Sequence, residues 1–141
     1  MFDQITVFVE NKPGRLEEVV GTLADNRINL HALSLADTTD FGIIRLIVSE
    51  PDRAVNVLKE KNLMVKTTEV IAIGMGHNPG ELHAILRKLK ALDISIEYMY
   101  AFTTRHEQYA AVVVLRVANQ DAVLEKIRNS EVNMVGKEMI G

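Results

Sequence analysis

The sequence predicts an α+β protein made of two successive βαββαβ units, and two observations predict it. Slid against itself at an offset of 66 residues, the chain superposes Pro13 on Pro79, Gly14 on Gly80, Leu16 on Leu82, Val19 on Ile85, Leu23 on Leu89, Ile28 on Ile94 and Leu30 on Ile96. Within each copy the apolar period also switches between two, as in strands, and 3.6, as in helices, in the same order.

In the first copy, Ile5, Val7 and Val9 alternate with Gln4, Thr6 and Phe8, the pattern of a strand with one face in a core. From Pro13 the spacing of Leu16, Val19, Val20, Leu23 and Ala24 predicts an amphipathic helix ending near Asn26. Ile28 to Ala36 and Phe41 to Val48 are β-rich runs joined by Asp37-Thr38-Thr39-Asp40, turn formers suited to a hairpin. Pro51-Asp52 opens a second helix bearing Ala54, Val55 and Leu58, Asn62 closes it, and a fourth strand runs over Met64 to Thr68.

The second copy repeats the order: Val70 to Met75, a helix from Pro79 to about Ala91, strands over Ile94 to Phe102 and Tyr109 to Val117, a helix over Gln120 to Asn129, and a short strand near Asn133 to Lys137. A unit of this order and about 70 residues forms an antiparallel sheet with both helices on one face, the ferredoxin-like arrangement. The expected domains are 1–69 and 70–141, with no Pro-, Gly- or Ser-rich linker between them. Runs such as IIRLIVS and AAVVVLRV carry more apolar residues than one helix-covered face needs, so the exposed face or an edge is expected to meet a second unit or a second chain, the alternative being plainly hydrophobic central strands.

Composition narrows the function. The net charge of −3 and the lack of any Lys/Arg block argue against an electrostatic grip on nucleic acid or anionic lipid. With no cysteine, disulfides, thiolate nucleophiles and cysteine-built metal sites are excluded. No apolar run approaches the ~18 residues of a membrane span, and the expected location is the cytoplasm. No nucleophile with an oriented base and no paired carboxylates stand out, so no catalytic residue is expected. The four histidines, His31, His77, His83 and His106, show no metal-binding spacing, and neither a metal nor a cofactor is expected. Tyr98, Tyr100 and Phe102 alternate, putting three rings on one face of a strand as a pocket lining, an interface or plain packing.

The junction ENKPGRL, residues 10 to 16, is the most informative local feature. Proline at a first helical position loses no hydrogen bond. Glycine in the first turn costs about 1 kcal/mol relative to alanine, and removes a side chain from above the helix N-terminus, where a small anion is favoured. A tight strand-to-helix turn would also explain one Pro-Gly, but the pair recurs as NPGEL at 78 to 82.

NKPGRL followed by a helix and I-N-L at 28 to 30, and NPGEL followed by ISIEYMYAF at 94 to 102, resemble the ACT domain, a βαββαβ regulatory module that binds amino acids. The resemblance covers the chain as a tandem pair. It implies a ligand between the first strand-to-helix loop of one unit and the second strand of its neighbour. The implied contacts are Asn11, Lys12, Pro13, Gly14, Arg15 and Leu16 with Ile28, Asn29, Leu30 and His31, and in the second copy His77, Asn78, Pro79, Gly80, Ile94, Ser95 and Ile96. Asn11 matches the ligand-contacting amide or acid of the motif and Gly14 its close-approach glycine. The second copy departs from this, since His77 stands two before Pro79 and Asn78 reads better as an N-cap. The expected function is a non-catalytic amino-acid sensor working as a homodimer beside a metabolic enzyme. The alternative is a ligand-free interaction module.

Overall fold

In the computed structural model, which describes residues 1–38 and 40–140, the first unit comprises Asp3–Glu69, joined by Ile140. Its elements are β1 (Phe2–Glu10), α1 (Arg15–Asp25), β2 (Leu30–Asp37), β3 (Phe41–Val48), α2 (Pro51–Glu60) and the first part of β4 (Met64–Met75). The strands lie in the order β2-β3-β1-β4, so β2 is an edge. The antiparallel register pairs Ile5 with Leu46, Val7 with Ile44 and Val9 with Gly42. That register puts Ile5, Val7, Ile44 and Leu46 on the face that packs on Val19 and Leu23 of α1 and Ala54 and Leu58 of α2. Each such large side chain contributes about 1.5–3 kcal/mol of burial, which is why the period-2 and period-3.6 patterns meet in one core.

The second unit holds Val70–Met139 with Met1–Phe2. It uses the rest of β4, then α3 (Glu81–Ala91), β5 (Ile96–Thr103), β6 (Ala111–Val117), α4 (Gln120–Arg128) and a 3-10 turn at Lys137–Met139. Strands run β4-β6-β5, and Ile71, Ile73, Val113 and Leu115 pack on Ile85, Leu89, Val123 and Ile127. Tyr98, Tyr100 and Phe102 stand opposite Arg116, Val114 and Val112. They share the face turned away from the helices, where Phe102 meets Phe2 with ring centroids 6.3 Å apart. Val112 and Val114 are as fully buried as Val113 and Leu115, so β6 is apolar on both faces because both are covered.

Several boundaries differ from those expected. β4 is one strand through Glu69–Val70 rather than two. The last strand reduces to a bridge between Ile73 and Met134, because the Gly136 N–H turns onto the Glu138 carboxylate at 3.2 Å and the chain leaves the sheet. The hairpin turn includes Thr39, outside the described residues; beside it the Thr38 N–H donates to the Phe41 carbonyl at 2.8 Å.

Ile28 and Ile94 are not strand residues. Arg27 and Asp93 adopt φ 57°, and the Arg27 and Ile28 N–H groups donate to Ala24 and Leu23 carbonyls at 3.0 and 2.9 Å. The equivalent bonds from Asp93 and Ile94 to Lys90 and Leu89 are 3.0 and 3.1 Å. Both pairs make a Schellman ending, whose last apolar residue packs back on its helix, and β2 and β5 therefore begin two residues later.

Candidate ligand-binding turns

Neither Pro-Gly lies inside a helix. The Arg15 N–H donates to the Lys12 carbonyl at 3.4 Å and Gly14 has φ 85°, ψ −6°. The Glu81 N–H likewise donates to Asn78 at 3.3 Å, with Gly80 at φ 90°, ψ −3°. An i to i+3 bond with this conformation at the third residue is a type II turn, which takes proline second and glycine third. The helices start at Arg15 and Glu81, two residues after the prolines, and Asn78 opens the turn rather than capping the helix. Glycine is thus required by its φ. A Cβ at Gly14 or Gly80 would meet no atom within 4 Å, so both turns face open space.

The surroundings of the two turns differ. In the first, the Asn11 side-chain amide donates to the Asp37 carboxylate at 3.0 Å, tying the turn to the end of edge strand β2. Glu10 pairs with Lys12 at 2.7 Å and Arg15 at 3.6 Å, and Arg15 also reaches Glu18 at 2.9 Å. The Lys12 hydrogen bond and charge hold the Glu10 carboxyl below its ordinary range, opposed by desolvation and aided least by the Arg15 charge. In the second turn the offset of 66 replaces Glu10 by Gly76 and Arg15 by Glu81. The Glu81 carboxylate folds back to accept the N–H groups of Gly76 at 3.2 Å and Asn78 at 2.9 Å. A Cβ at Gly76 would collide with that carboxylate.

The strand-start residues lie elsewhere. Glu10 pairs with Phe41 and Asp37 with Gly42, whereas Leu30 pairs with Val48 at the other end of β3. At about 3.3 Å per residue this separates Asn11–Leu16 from Ile28–His31 by about 20 Å within the unit. Ile96 likewise pairs with Val117 and Thr103 with Ala111, so Ile94, Ser95 and Ile96 stand far from His77–Gly80. Nor are all the expected backbone groups open: Ile28 N–H is used by Leu23, and the Asn29 carbonyl and N–H are bonded to the Ser49 N–H and hydroxyl, each at 3.0 Å. His31 falls at the register shift between Leu30 and Ala32. Its Nε2 is buried without a partner, and burial pushes its pKa below the ordinary 6.5.

Each unit also has a cleft at the base of its turn. The first, about 300 Å3, is lined by Phe8, Phe41, Leu63 and Met64 together with Glu10, Arg15, Glu18 and Lys61. The second, about 340 Å3, is lined by Gly74, Gly76, Glu81, Lys88 and Tyr109 among others. There the Tyr109 ring lies so close to Gly74 that an added Cβ would be 2.5 Å from it. Sequence reasoning missed these clefts and the Glu81 contact; the exchange of Arg15 for Glu81 across the repeat was the available signal. Among the described residues, no group of His, Asp or Glu is gathered to hold a metal, and no helix is long and apolar enough to cross a membrane.

Two ferredoxin-like units, each with a Pro-Gly turn between its first strand and first helix, define an ACT-type module. The family model for the ACT domain pair matches residues 1–140, and the chain belongs to that family. It is similar to protein BT0572 from Bacteroides thetaiotaomicron, with 41% identity over 95% of this chain and 91% of that one and a TM-score of 0.83. The regulatory subunit of aspartate kinase from Thermus thermophilus, in ligand-free form, shares the fold at 14% identity, covering 92% and 91% of the two chains, with a TM-score of 0.60. The aspartokinase alpha and beta subunits do so at 17% identity, covering 91% and 93%, with a TM-score of 0.56. No curated protein matches the chain.

Proposed function

We propose that this chain is a non-catalytic regulatory sensor that binds an amino acid where the Asn11–Leu16 turn of one ACT unit meets the start of β2 in another, supplied by a second copy of the chain. The observation that carries this reading is the Asn11–Asp37 hydrogen bond, which holds the turn at the end of an edge strand. Antiparallel pairing of two β2 edges brings the second copy's Leu30 beside Asp37, closing the 20 Å gap that separates turn and strand start within one unit. Leu33 and Leu35 on that edge are 38% and 52% exposed, an apolar strip that pairing would cover. The second turn, whose amides already hold Glu81, is assigned a structural role. Signal transmission requires the ligand to favour one arrangement of units over another. The aspartate kinase subunits of the same fold are regulatory, which supports a metabolic enzyme as the partner and the cytoplasm as the location.

The test is a thermal-shift screen against the twenty amino acids. A true ligand at 100 times its Kd stabilises by about 2.7 kcal/mol. No shift at millimolar concentration sinks the sensor reading in favour of an interaction module, the reading to which the exposed Leu33–Leu35 strip also lends itself. Leu35→Lys should convert dimer to monomer in sedimentation velocity; a variant as dimeric as the native chain refutes pairing through β2.

A further inference from the structure

Two of the helices carry charges of both signs in equal number. α2 has Asp52 and Glu60 against Arg53 and Lys59, and α4 has Asp121 and Glu125 against Lys126 and Arg128. α1 instead has Glu17, Glu18 and Asp25 with Arg15 as its one cation, and α3 has Arg87, Lys88 and Lys90 with Glu81 as its one anion. Both odd charges are engaged locally, Arg15 by Glu10 and Glu18 and Glu81 by the Gly76 and Asn78 amides. Glu17, Asp25, Arg87, Lys88 and Lys90 are exposed and make no ion pair among the described residues.

The repeat makes the two faces reciprocal. His83, Arg87 and Lys90 recur at i, i+4 and i+7, on the side of α3 opposite its buried Ile85 and Leu89. The equivalent residues of α1 are Glu17, Gly21 and Ala24, with Asp25 beside them where α3 has Ala91. The long cations of α3 thus stand where α1 has glycine and alanine. The helix dipole explains Glu17 and Glu18 in the first turn of α1 and Lys88 and Lys90 in the last turn of α3. It does not explain Asp25, a carboxylate at the end of α1 that the dipole disfavours. Nor does it explain Gly21 in mid-helix, where glycine costs stability and a Cβ would meet only the Glu17 carboxylate, at 3.6 Å.

We propose that the outer face of α1 in one copy of the chain docks on the outer face of α3 in a second copy. Run antiparallel with Gly21 opposite Arg87, the faces bring Glu17 to Lys90 and Asp25 to His83. Arg87 then fills the space over Gly21, about 6 Å along the axis from each carboxylate, and the helix dipoles oppose favourably. The two faces differ, so the pairing is heterologous, and copies join head to tail unless the arrangement closes. Exposed ion pairs are individually weak and screened by salt, so the association is weak and strongly salt-dependent. It uses no residue of the β2 edge and does not rest on the sensor reading.

The test is sedimentation equilibrium of the full chain in the Leu35→Lys background, which keeps any β2 seam out of the reading. At about 50 mM salt the average mass should rise with protein concentration, and at about 500 mM the association should weaken at least about tenfold. Two further variants in that background reverse one face each: Glu17→Lys with Asp25→Lys, and Arg87→Glu with Lys90→Glu, all at exposed positions. Each alone sets like charges together and should associate about tenfold less tightly. Mixed, the two should regain association, because the untouched α3 of the first meets the untouched α1 of the second; a variant that had failed to fold could not do this. A mass independent of concentration at low salt, the result if an acidic segment of another protein takes the α3 face, overturns the proposal. So does either variant associating as strongly as its parent, or a mixture no more associated than its parts. The sensor reading is decided separately, by the amino-acid screen.

Discussion

Gly14→Ala isolates what the Pro-Gly turn requires. Gly14 sits at φ 85°, and a Cβ there would touch nothing within 4 Å, so the substitution adds strain without a clash. Holding an L-residue in the left-handed region costs about 1–2 kcal/mol. Alanine also narrows the unfolded ensemble, returning about 0.4–1 kcal/mol, and the net loss should be near 1 kcal/mol, or about 3–5 °C in Tm for a chain of this size. Gly14→Asn should lose less than half as much, because asparagine tolerates that conformation. Gly80→Ala should match Gly14→Ala, since Gly80 has φ 90° and equally open surroundings. Urea unfolding with a constant m-value, checked by differential scanning fluorimetry, measures all three. A neutral Gly14→Ala, or an asparagine variant no better than alanine, refutes the turn assignment. Because the asparagine variant keeps the fold, a loss of amino-acid-induced stabilisation in it would come from the added side chain entering the ligand's space.

Three further outcomes follow from single contacts. Arg27→Gly and Asp93→Gly relieve left-handed strain at φ 57° and should each raise stability by about 0.5–1 kcal/mol, read as a higher urea midpoint; a lower midpoint refutes the Schellman assignment. Glu81→Ala leaves the Gly76 and Asn78 amides to water and should cost about 0.5–1.5 kcal/mol, with faster hydrogen exchange at those two amides; unchanged exchange refutes the contact. Burial holds the His31 pKa below 6.5, so as pH falls below 6.5 the unfolded chain takes up a proton before the native one and stability drops, whereas above pH 7 the effect is absent. Urea midpoints from pH 5 to 7.5 should show that slope in the native chain and a flatter one in His31→Gln.

The repeat made most of the fold legible, because a duplicated period of apolar residues is a statement about cores, and cores dominate burial. The errors lie where local hydrogen bonding outweighs pattern. Ile28 and Ile94 look like strand residues because they are β-branched and apolar, yet their N–H groups finish helices. Pro13 and Pro79 satisfy the rule for a first helical residue, but the glycine that follows each one needs a positive φ, which no first helical turn supplies. β4 runs unbroken through Glu69–Val70 because nothing there interrupts its hydrogen bonding; the absence of Pro or Gly was visible, and two strands were expected only because the repeat boundary fell there. The clefts were not legible at all, since the first draws its walls from β1, α1, the start of β3 and the segment after α2 and the second from the end of β4, α3, the segment before β6 and Asn133, which only the folded chain brings together.

The exchange of Glu10 and Arg15 for Gly76 and Glu81 shows how one turn can serve two purposes. In both copies a side chain in the first helical turn reaches back to the end of the preceding strand. In the first copy a cation does this, meeting the Glu10 carboxylate at 3.6 Å while it also pairs with Glu18 of its own helix at 2.9 Å. In the second an anion does it, meeting backbone amides at 3.2 and 2.9 Å. The mechanical result is the same, a strand end fastened to a helix, but the electrostatic result is opposite. Glu81 satisfies the donors that would otherwise attract a ligand's carboxylate and sets its own negative charge at their mouth, where it repels an incoming anion. Arg15 keeps a cation at the corresponding place, partly neutralised by Glu10 and Glu18, so that a zwitterion entering the first turn would meet both signs. Glu81→Gln, which retains an acceptor while removing the charge, should therefore lose less stability than Glu81→Ala, and the second turn becomes open to anions only in the alanine variant. Acetate added to that variant should shift the Gly76 and Asn78 amide resonances and restore part of its stability. If acetate moves the same resonances equally in the native chain, the Glu81 carboxylate does not occupy that turn in solution.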